Sequence, residues 1–299
     1  MGQMVLGITI PDRSRAGSKT LWHAERRLQL EISERESSPR YQLRLREPAV
    51  AGKSDTPPGL LGPPIVLTRD QPVEIEILNR MRQPTAIHWH GIELESYYDG
   101  VPGWGGDGKE VTPPIAPGES FTARLAPPRA GTFIYHTHWH DPSQLTNGIY
   151  GPLIVLPPGE KFDPDSDRVF VFSIGDFGEL KEIALINGTP QSKTLRLLAG
   201  KMYRFRFINI STNNQAMQVS LRNSSGLANW TMTAKDGADL PADQVHPAVA
   251  QFTITVGETK DVRFFTGKAE DYQLELLLPA QNIHIMQTLS FSAPTRATD

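Results

Sequence analysis

The stretch Ile65–Asn79, IVLTRDQPVEIEILN, indicates the fold class more clearly than any other part of the chain. A short apolar run opens it, and the segment Arg69-Asp70-Gln71-Pro72 follows, with an Asp and a Pro that are typical of a turn. After that segment, apolar residues alternate with polar ones, as in a β-strand with one buried face. The stretch is therefore predicted to form two strands joined by a turn.

Segments with similar patterns predict further strands on both sides of this stretch. The chain has 25 Pro and 25 Gly among its 299 residues, which indicates many turns and few long helices. Strands, frequent turns and no long amphipathic helix favour an all-β fold, namely a β-sandwich. The additional predicted strands are Arg27–Ser33, Tyr41–Arg46, Ser120–Leu125, Thr132–His138 and Gly151–Leu156.

One short helix is predicted directly after His140. Asp141 is placed to cap its N-terminus, Pro142 occupies the first helical position, and Gly148 lies beyond its end. Pro is favoured at the start of a helix because its missing N–H has no partner there in any case, whereas Gly is favoured just past the end.

An internal repeat indicates two copies of one sandwich unit. Three segments of the first half have counterparts in the second half with similar patterns, and two such units explain the length better than one large domain. The paired segments are Ile65–Asn79 with Leu195–Asn209, Gly118–Arg124 with Gly257–Arg263, and Ala130–His138 with Ala269–Leu277.

The repeat predicts two domains, residues 1–160 and residues 161–299, with leading strands in residues 1–50 of the first domain. Pro157–Asp167, a stretch rich in Pro, Gly and charge, is the predicted boundary. Phe291–Asp299 is predicted to be a loose C-terminal tail.

Charge and hydropathy exclude two classes of partner. The chain has 30 Lys plus Arg against 33 Asp plus Glu, and a formal charge of −3 is too balanced for a protein that binds nucleic acid through phosphates. No apolar run approaches the roughly 18 residues that a membrane span requires. We therefore expect a soluble globular protein that binds neither nucleic acid nor membrane. The first ten residues lack the pattern of a secretory signal, so they do not indicate a compartment.

Cysteine is absent from all 299 residues. This excludes a disulfide framework, a thiolate nucleophile and an iron–sulfur site. It also excludes a blue-copper centre built from this chain alone, because that centre combines two His ligands with a Cys thiolate.

Five of the eight histidines fall in two clusters, His88-Trp89-His90 and His136-Thr137-His138-Trp139-His140. Residues two apart on a strand point to the same side, so each cluster presents its imidazoles on one face. Imidazole is a ligand of copper, zinc, iron and nickel, so the clusters predict a transition-metal site. The remaining histidines are isolated and predict no site. In the second copy, Glu275 and Leu277 occupy the positions aligned with His136 and His138, so no site is predicted there.

Four motifs together resemble one protein family. The first domain of multicopper oxidases, the laccase-like enzymes, has similar sequences in this order: His88-Trp89-His90-Gly91, Asp99-Gly100-Val101-Pro102, Gly131–His138 and Gly148–Val155. The resemblance is specific over Gly62–Val155 and extends weakly to about Leu278. It implies two cupredoxin-like Greek-key β-sandwich domains.

The resemblance also implies a role for each residue of the motifs. Such a domain supplies half of the histidine ligands of a trinuclear copper cluster that reduces dioxygen to water. By position, His88 would bind the type 2 copper, and His90, His136 and His138 would bind the type 3 pair. Asp99 matches an acidic residue that relays protons to oxygen, although Asp-Gly is equally typical of a structural turn.

The chain departs from the family pattern in three ways. The partner motifs His-x-His and His-Cys-His are absent, so this chain has no type 1 site. His140 is an additional histidine, either a further ligand or a residue at the rim. The start, Met1–Ile8, resembles the strand that follows a blue-copper domain. We therefore expect the histidine face to meet a missing blue-copper domain or a second chain, with the loops around Trp104 and Pro142–Asn147 bordering the contact.

Three functions stay open at this point. The first is the oxygen-reducing portion of a laccase-like oxidase, for which the family implies a periplasmic or extracellular location. The second is a non-catalytic copper-binding or assembly module. The third is a zinc hydrolase that uses His136, His138 and one histidine of the first cluster, with water as the fourth ligand.

Overall fold

Strands and turns account for nearly all of the protein in a computed structural model. The structure describes residues 22–36, 40–47, 61–139, 142–177, 179–190, 193–212, 216–278 and 283–294. The start of the chain, His140 and Asp141 lie outside these ranges, so the predictions made for them stay predictions. Within these ranges, no helix is long and apolar enough to cross a membrane.

The first sandwich consists of two four-stranded sheets. One has the strand order β2-β1-β4-β6 and the other has the order β3-β8-β7-β5. A helix, α1, lies between β7 and β8, and a 3-10 helix spans Ser96–Tyr98. The elements are β1 (Arg26–Glu34), β2 (Tyr41–Arg46), β3 (Ile65–Thr68), β4 (Val73–Arg80), β5 (Ile87–His90), β6 (Ser120–Leu125), β7 (Gly131–Thr137), α1 (Pro142–Thr146) and β8 (Tyr150–Leu156).

The second sandwich contains two larger sheets. One follows β10-β9-β12-β19-β15-β16 with β17 beside β15, and the other follows β11-β21-β20-β13-β14 with β18 beside β13. A 3-10 helix spans Ala242–Gln244. The strands are β9 (Asp167–Phe177), β10 (Leu180–Ile186), β11 (Leu195–Leu198), β12 (Met202–Asn209), β13 (Met217–Asn223), β14 (Gly226–Leu227), β15 (Asn229–Lys235), β16 (Ala238–Asp239), β17 (Pro247–Val249), β18 (Gln251–Ile254), β19 (Thr259–Phe265), β20 (Asp271–Leu278) and β21 (Ile283–Ser292).

Strand pairing follows the predicted repeat. In the first sandwich β4 runs parallel to β1 and antiparallel to β6; in the second, β12 runs parallel to β9 and antiparallel to β19. Likewise β3 is parallel to β8, and β11 is parallel to β21. The two halves therefore share one topology, in which β7 corresponds to β20 and β5 to β13.

Each sandwich has its own apolar core. Alternation along the strands produces both cores: in β4, for example, Val73, Ile75 and Ile77 are buried while Glu74 and Glu76 between them are not. Full burial of one such side chain contributes about 1.5–3 kcal/mol. The second core is rich in stacked and edge-on aromatic rings, such as Phe205, Phe207 and Trp230.

Several predicted ends differ from the observed ones by a residue or two; β1, for example, is one residue longer at each end than predicted, and β8 begins at Tyr150. Strand β7 ends at Thr137, one residue before the predicted end, since its partner β5 begins at Ile87, directly opposite Thr137. The C-terminal tail does not begin at Phe291, since β21 continues to Ser292 and the Phe291 ring packs in the second core. The turn between β3 and β4 is confirmed, with Asp70 at φ 62°, a conformation in which Asp is enriched.

A buried polar network joins the two sandwiches behind β7. Thr259 Oγ1 donates to Thr132 O at 2.8 Å, and Thr132 Oγ1 donates to Asp261 Oδ2 at 3.0 Å. Arg206 Nη1 lies 3.1 Å from the same Asp261 oxygen, and both charged side chains are only 1% exposed. This network, called the seam below, fixes the strand that carries His136 against the second sandwich.

Candidate metal centre

The two histidine clusters lie on neighbouring antiparallel strands. In the register of β5 and β7, His88 is directly opposite His136, and Trp89 is opposite Tyr135. Because side chains alternate, the Trp89 and Tyr135 rings point into the core and are completely buried. The imidazoles therefore share the other face of the sheet, as the spacing predicts.

The imidazoles of His88, His90 and His136 form a compact group, called the three-histidine cluster. One ring nitrogen of each lies within 4.8 Å of the others. The His88 ring centroid is 5.5 Å from that of His90 and 5.3 Å from that of His136. Among the described residues, this is the group whose donor atoms are close enough to hold one metal ion.

Hydrogen bonds orient two of these rings. His88 Nδ1 lies 2.9 Å from Asp99 O and 3.2 Å from Asp99 Oδ1, and His136 Nδ1 lies 2.8 Å from Thr137 O. Carbonyl oxygens only accept hydrogen bonds, so each Nδ1 donates and each Nε2 keeps its lone pair. An imidazole held in this way is prepared to bind a metal ion through Nε2.

Burial favours the neutral form of two imidazoles of the cluster. It lowers the pKa of His136 to about 3, and the neighbouring His88 lowers that pKa further through charge repulsion. The pKa of His90 is also lowered, first by burial and then by His88. Since only neutral imidazole binds a metal ion, protons compete weakly for these two ligands near neutral pH.

Asp99 lies beside the cluster in a turn that requires glycine. Gly100 has φ 76°, and a Cβ atom there would overlap Ile87 O at the start of β5. The Asp-Gly pair is thus a structural turn, and it also brings the Asp99 carboxylate to His88. The two interpretations of Asp99 left open by the sequence are compatible, and its proton-relay role stays a prediction.

His138 lies next to the cluster and is not one of the three. It is exposed and follows the end of β7, with its ring centroid 5.5 Å from that of His88 and 6.1 Å from that of His136. Its predicted role as a ligand stays a prediction. His246 and His284 belong to the second sandwich, and neither is in the cluster.

Sequence reasoning missed Gln144, a buried residue of α1. Its Oε1 accepts hydrogen bonds at 2.8 Å from both Thr85 and Thr137, and its Nε2 donates to Pro84 O. These bonds tie the start of β5 to the end of β7, so they hold the two histidine-bearing segments in register. A single Gln in a short helix carries no sequence signal of this role.

The loop near the cluster is partly packed and partly exposed. The Tyr97 and Tyr98 rings contact Phe121 of their own sandwich, with centroids 5.7 and 6.3 Å away. Trp104 is 80% exposed. Of these aromatic residues, Trp104 is thus the one whose ring faces solvent.

Fold and site define a class: an all-β protein of two sandwiches, the first of which carries a cluster of three imidazoles suited to a transition metal. Residues 58–160 match the family model described as multicopper oxidase. Those residues belong to the multicopper oxidase family, and the resemblance seen in the motifs is confirmed.

Curated relatives agree with this family. Laccase-1 of Emericella nidulans is 33% identical over 131 residues, which are 43% of this chain and 19% of that protein. The copper resistance protein A homolog of Pseudomonas syringae pv. tomato is 37% identical over 97 residues, 32% of this chain and 15% of that protein. Laccase-1 of Melanocarpus albomyces is 29% identical over 71% of this chain, which is 36% of its own length. The match thus spans well under half the length of these relatives.

Solved structures confirm the cupredoxin-like fold. McoA multicopper oxidase of Aquifex aeolicus has a TM-score of 0.71 at 17% identity, over 93% of this chain and 64% of its own. The blue copper oxidase of Nitrosomonas europaea has a TM-score of 0.64 at 20% identity, over 88% of this chain and 85% of its own. At such identities the likeness supports the fold alone.

Proposed function

We propose that this chain is the copper-binding portion of a laccase-like multicopper oxidase and contributes half of a trinuclear copper site that reduces dioxygen to water. The observation that carries the proposal is the three-histidine cluster, in which one nitrogen of each ring lies within 4.8 Å of the others. Family membership of residues 58–160 supports copper as the metal.

The donor set fits copper. It consists of imidazoles, which suit copper and zinc, and it offers none of the carboxylate-rich cage that magnesium or calcium prefers. We assign His88 to the type 2 copper and His90, His136 and His138 to the type 3 pair. His140, which is outside the described residues, is kept as a further ligand or rim residue.

Copper ions bound here would supply the electrons that reduce dioxygen. The protein's own part is to hold the rings and supply protons. Asp99 fixes the His88 ring through Nδ1, and its carboxylate is 32% exposed, so it can exchange protons with solvent while it contacts the site. We therefore propose Asp99 as the residue that delivers protons to the oxygen being reduced.

Half of a trinuclear site needs a partner. We propose that a blue-copper domain or a second chain covers the histidine face and supplies the remaining ligands, with dioxygen bound between the two halves. The second sandwich offers Glu275 and Leu277 at the equivalent positions, so it does not supply these ligands. The exposed Trp104 lies in a loop that we expect to border the contact.

A second candidate function is a copper-binding or assembly module without catalysis. The lack of Cys in all 299 residues favours it for this chain alone, because the electron path from a blue copper runs through a Cys thiolate. For the same reason, the chain alone should show no blue absorption and negligible oxidation of phenols.

Copper and zinc titrations of the purified chain test the proposal. We expect copper to be retained after gel filtration by the wild type and by His246→Ala, and to be lost by His136→Ala. Retention of zinc without copper would instead support a zinc hydrolase.

For the catalytic role, the copper-loaded chain is reduced chemically and exposed to dioxygen. Rapid return of the Cu(II) EPR signal, which shows that the copper has been reoxidised, supports oxygen reduction. An EPR signal that stays absent supports the non-catalytic module.

A further inference from the structure

We propose that Gly257 of the second sandwich is a positioning residue for His90, so that a sandwich without ligands forms one wall of the metal site. The inference rests on the proposed function, because it assigns His90 to the copper site. Gly257 lies in the turn before β19, and a Cβ atom there would lie 3.0 Å from His90 Nε2 and 3.1 Å from Cε1. Any side chain at 257 would therefore press on the His90 ring.

The contact lies at a cleft between the two sandwiches. His90 and Thr132 line the cleft from the first sandwich, and Asp236, Gly257 and Thr259 line it from the second. Thr259, two residues beyond Gly257, donates to Thr132 O at 2.8 Å. The turn and strand β7 are thus held together, so the turn cannot easily retreat from a larger residue at 257.

The internal repeat shows that this contact is not a requirement of the turn itself. Gly118 occupies the equivalent turn of the first sandwich, with φ 81° against 82° for Gly257. Its N–H donates to Asn79 O, just as that of Gly257 donates to Asn209 O, both at 2.8 Å. A Cβ atom at Gly118 would meet nothing within 4 Å. The two glycines share the backbone, and Gly257 alone of the pair abuts a histidine ring.

The closeness has a consequence for metal binding. Functional geometry has to be held within about 0.5 Å and 10–20°, so a shift of a few tenths of an ångström together with a rotation of the ring uses up most of that tolerance. A methyl group at 257 must move the His90 ring by a few tenths of an ångström or more, away from a position 5.5 Å from His88 and 5.6 Å from His136. The second sandwich thereby sets the place of a ligand that belongs to the first.

The experiment compares Gly257→Ala with Gly118→Ala in the full chain. Both variants force Ala into a left-handed conformation, so the backbone cost is matched. We expect Gly257→Ala to lower Cu(II) affinity about tenfold, as changes beside a ligand commonly do, and Gly118→Ala to leave it unchanged. Equal affinities of the two variants, whether both retained or both reduced, would overturn the proposal.

A metal-free readout separates this proposal from the proposed function. In the apo chain, the NMR signal of the His90 ring should shift in Gly257→Ala and not in Gly118→Ala. If the wild type binds no copper, the proposed function fails, and an unmoved His90 signal would still refute the contact.

A double-mutant cycle guards against a poorly folded variant. In a His90→Ala background the neighbour of Gly257 is gone, so Gly257→Ala should lower the melting temperature no more than Gly118→Ala does. A loss in that background that is larger than the loss caused by Gly118→Ala would contradict the proposed contact.

Discussion

The equivalent faces of the two sandwiches show how one backbone serves two purposes. In the first sandwich His88 is opposite His136; in the second, Ser220 is opposite Glu275 at the same point of the register. Ser220 Oγ donates to Glu275 Oε2 at 3.2 Å, and Arg222 Nε lies 3.5 Å from the same oxygen. On the second face, the polar side chains pair with one another. On the first face, the ring nitrogens of three histidines lie close together.

The difference teaches that the fold provides the register and the side chains provide the chemistry. In the first sandwich, partly buried imidazoles lie beside an Asp-Gly turn that orients one of them. In the second, an ion pair with a half-exposed Arg222 occupies the same place, and such pairs contribute only about 0–1 kcal/mol. A candidate metal site and an ordinary surface thus share one scaffold.

The largest expected effect concerns the seam. Asp261→Ala leaves the buried Arg206 without one of its two carboxylate partners, so it should lower the free energy of unfolding by about 3–5 kcal/mol. Glu275→Ala, which removes a partly exposed ion pair, should cost about 1 kcal/mol or less. Urea unfolding measures both. Similar losses would contradict the view that the seam is the energetically critical junction.

The second largest expected effect is the loss of Cu(II) affinity when a histidine is removed from the first sandwich. His136→Ala is expected to weaken Cu(II) binding by about a hundredfold, or about 2.7 kcal/mol, because a buried ligand is lost. Glu275→Ala, at the equivalent place in the second sandwich, should leave the affinity unchanged. Competition titration with a copper chelator measures the Cu(II) dissociation constants of both variants. Equal dissociation constants would contradict the difference between the two faces.

The orienting carboxylate should matter less than a ligand. Asp99→Asn replaces an acceptor beside His88 Nδ1 with an amide, and the partners of metal ligands typically contribute about tenfold or more in affinity. Asp271→Asn, an exposed change on β20, is the matched control and should have no effect. Unchanged affinity in Asp99→Asn would show that the charge of the Asp99 carboxylate contributes nothing to metal binding.

Acid should destabilise the metal-free chain partly through His136. In the unfolded chain this residue takes up a proton near pH 6.5, while in the folded chain its pKa is about 3. Between these values the unfolded state binds more protons, so stability falls as the pH drops. His136→Gln should make this fall shallower, and the exposed His246→Gln should not. Identical slopes of unfolding free energy against pH would contradict the burial of His136.

Much of the fold was predictable because it follows from local alternation. The strand at Tyr41–Arg46, the turn at Asp70 and the repeat are read directly from neighbouring residues, and the structure confirms them. The cluster was predictable for the same reason, since His-x-His on a strand places both rings on one face. The early end of β7 was not, because it depends on where its antiparallel partner β5 begins.

Contacts between distant parts of the chain were beyond sequence reasoning. Nothing near Gly257 or in the motif around His90 indicates that the two meet, because packing between the sandwiches brings them together. Gln144 is similar: its role arises from three hydrogen bonds to segments on both sides of the cluster. The repeat predicted that the second sandwich has no ligands, and it could not show that this sandwich touches the site.

The central claim is that the imidazoles of His88, His90 and His136 bind copper together. Pulsed EPR of the Cu(II)-loaded full chain counts the histidine nitrogens coordinated to the metal. We predict signals from coordinated imidazole that are weakened in His88→Ala and in His136→Ala and unchanged in His246→Ala. A spectrum that is the same in all of these variants, or that shows no coordinated imidazole, would contradict the central claim.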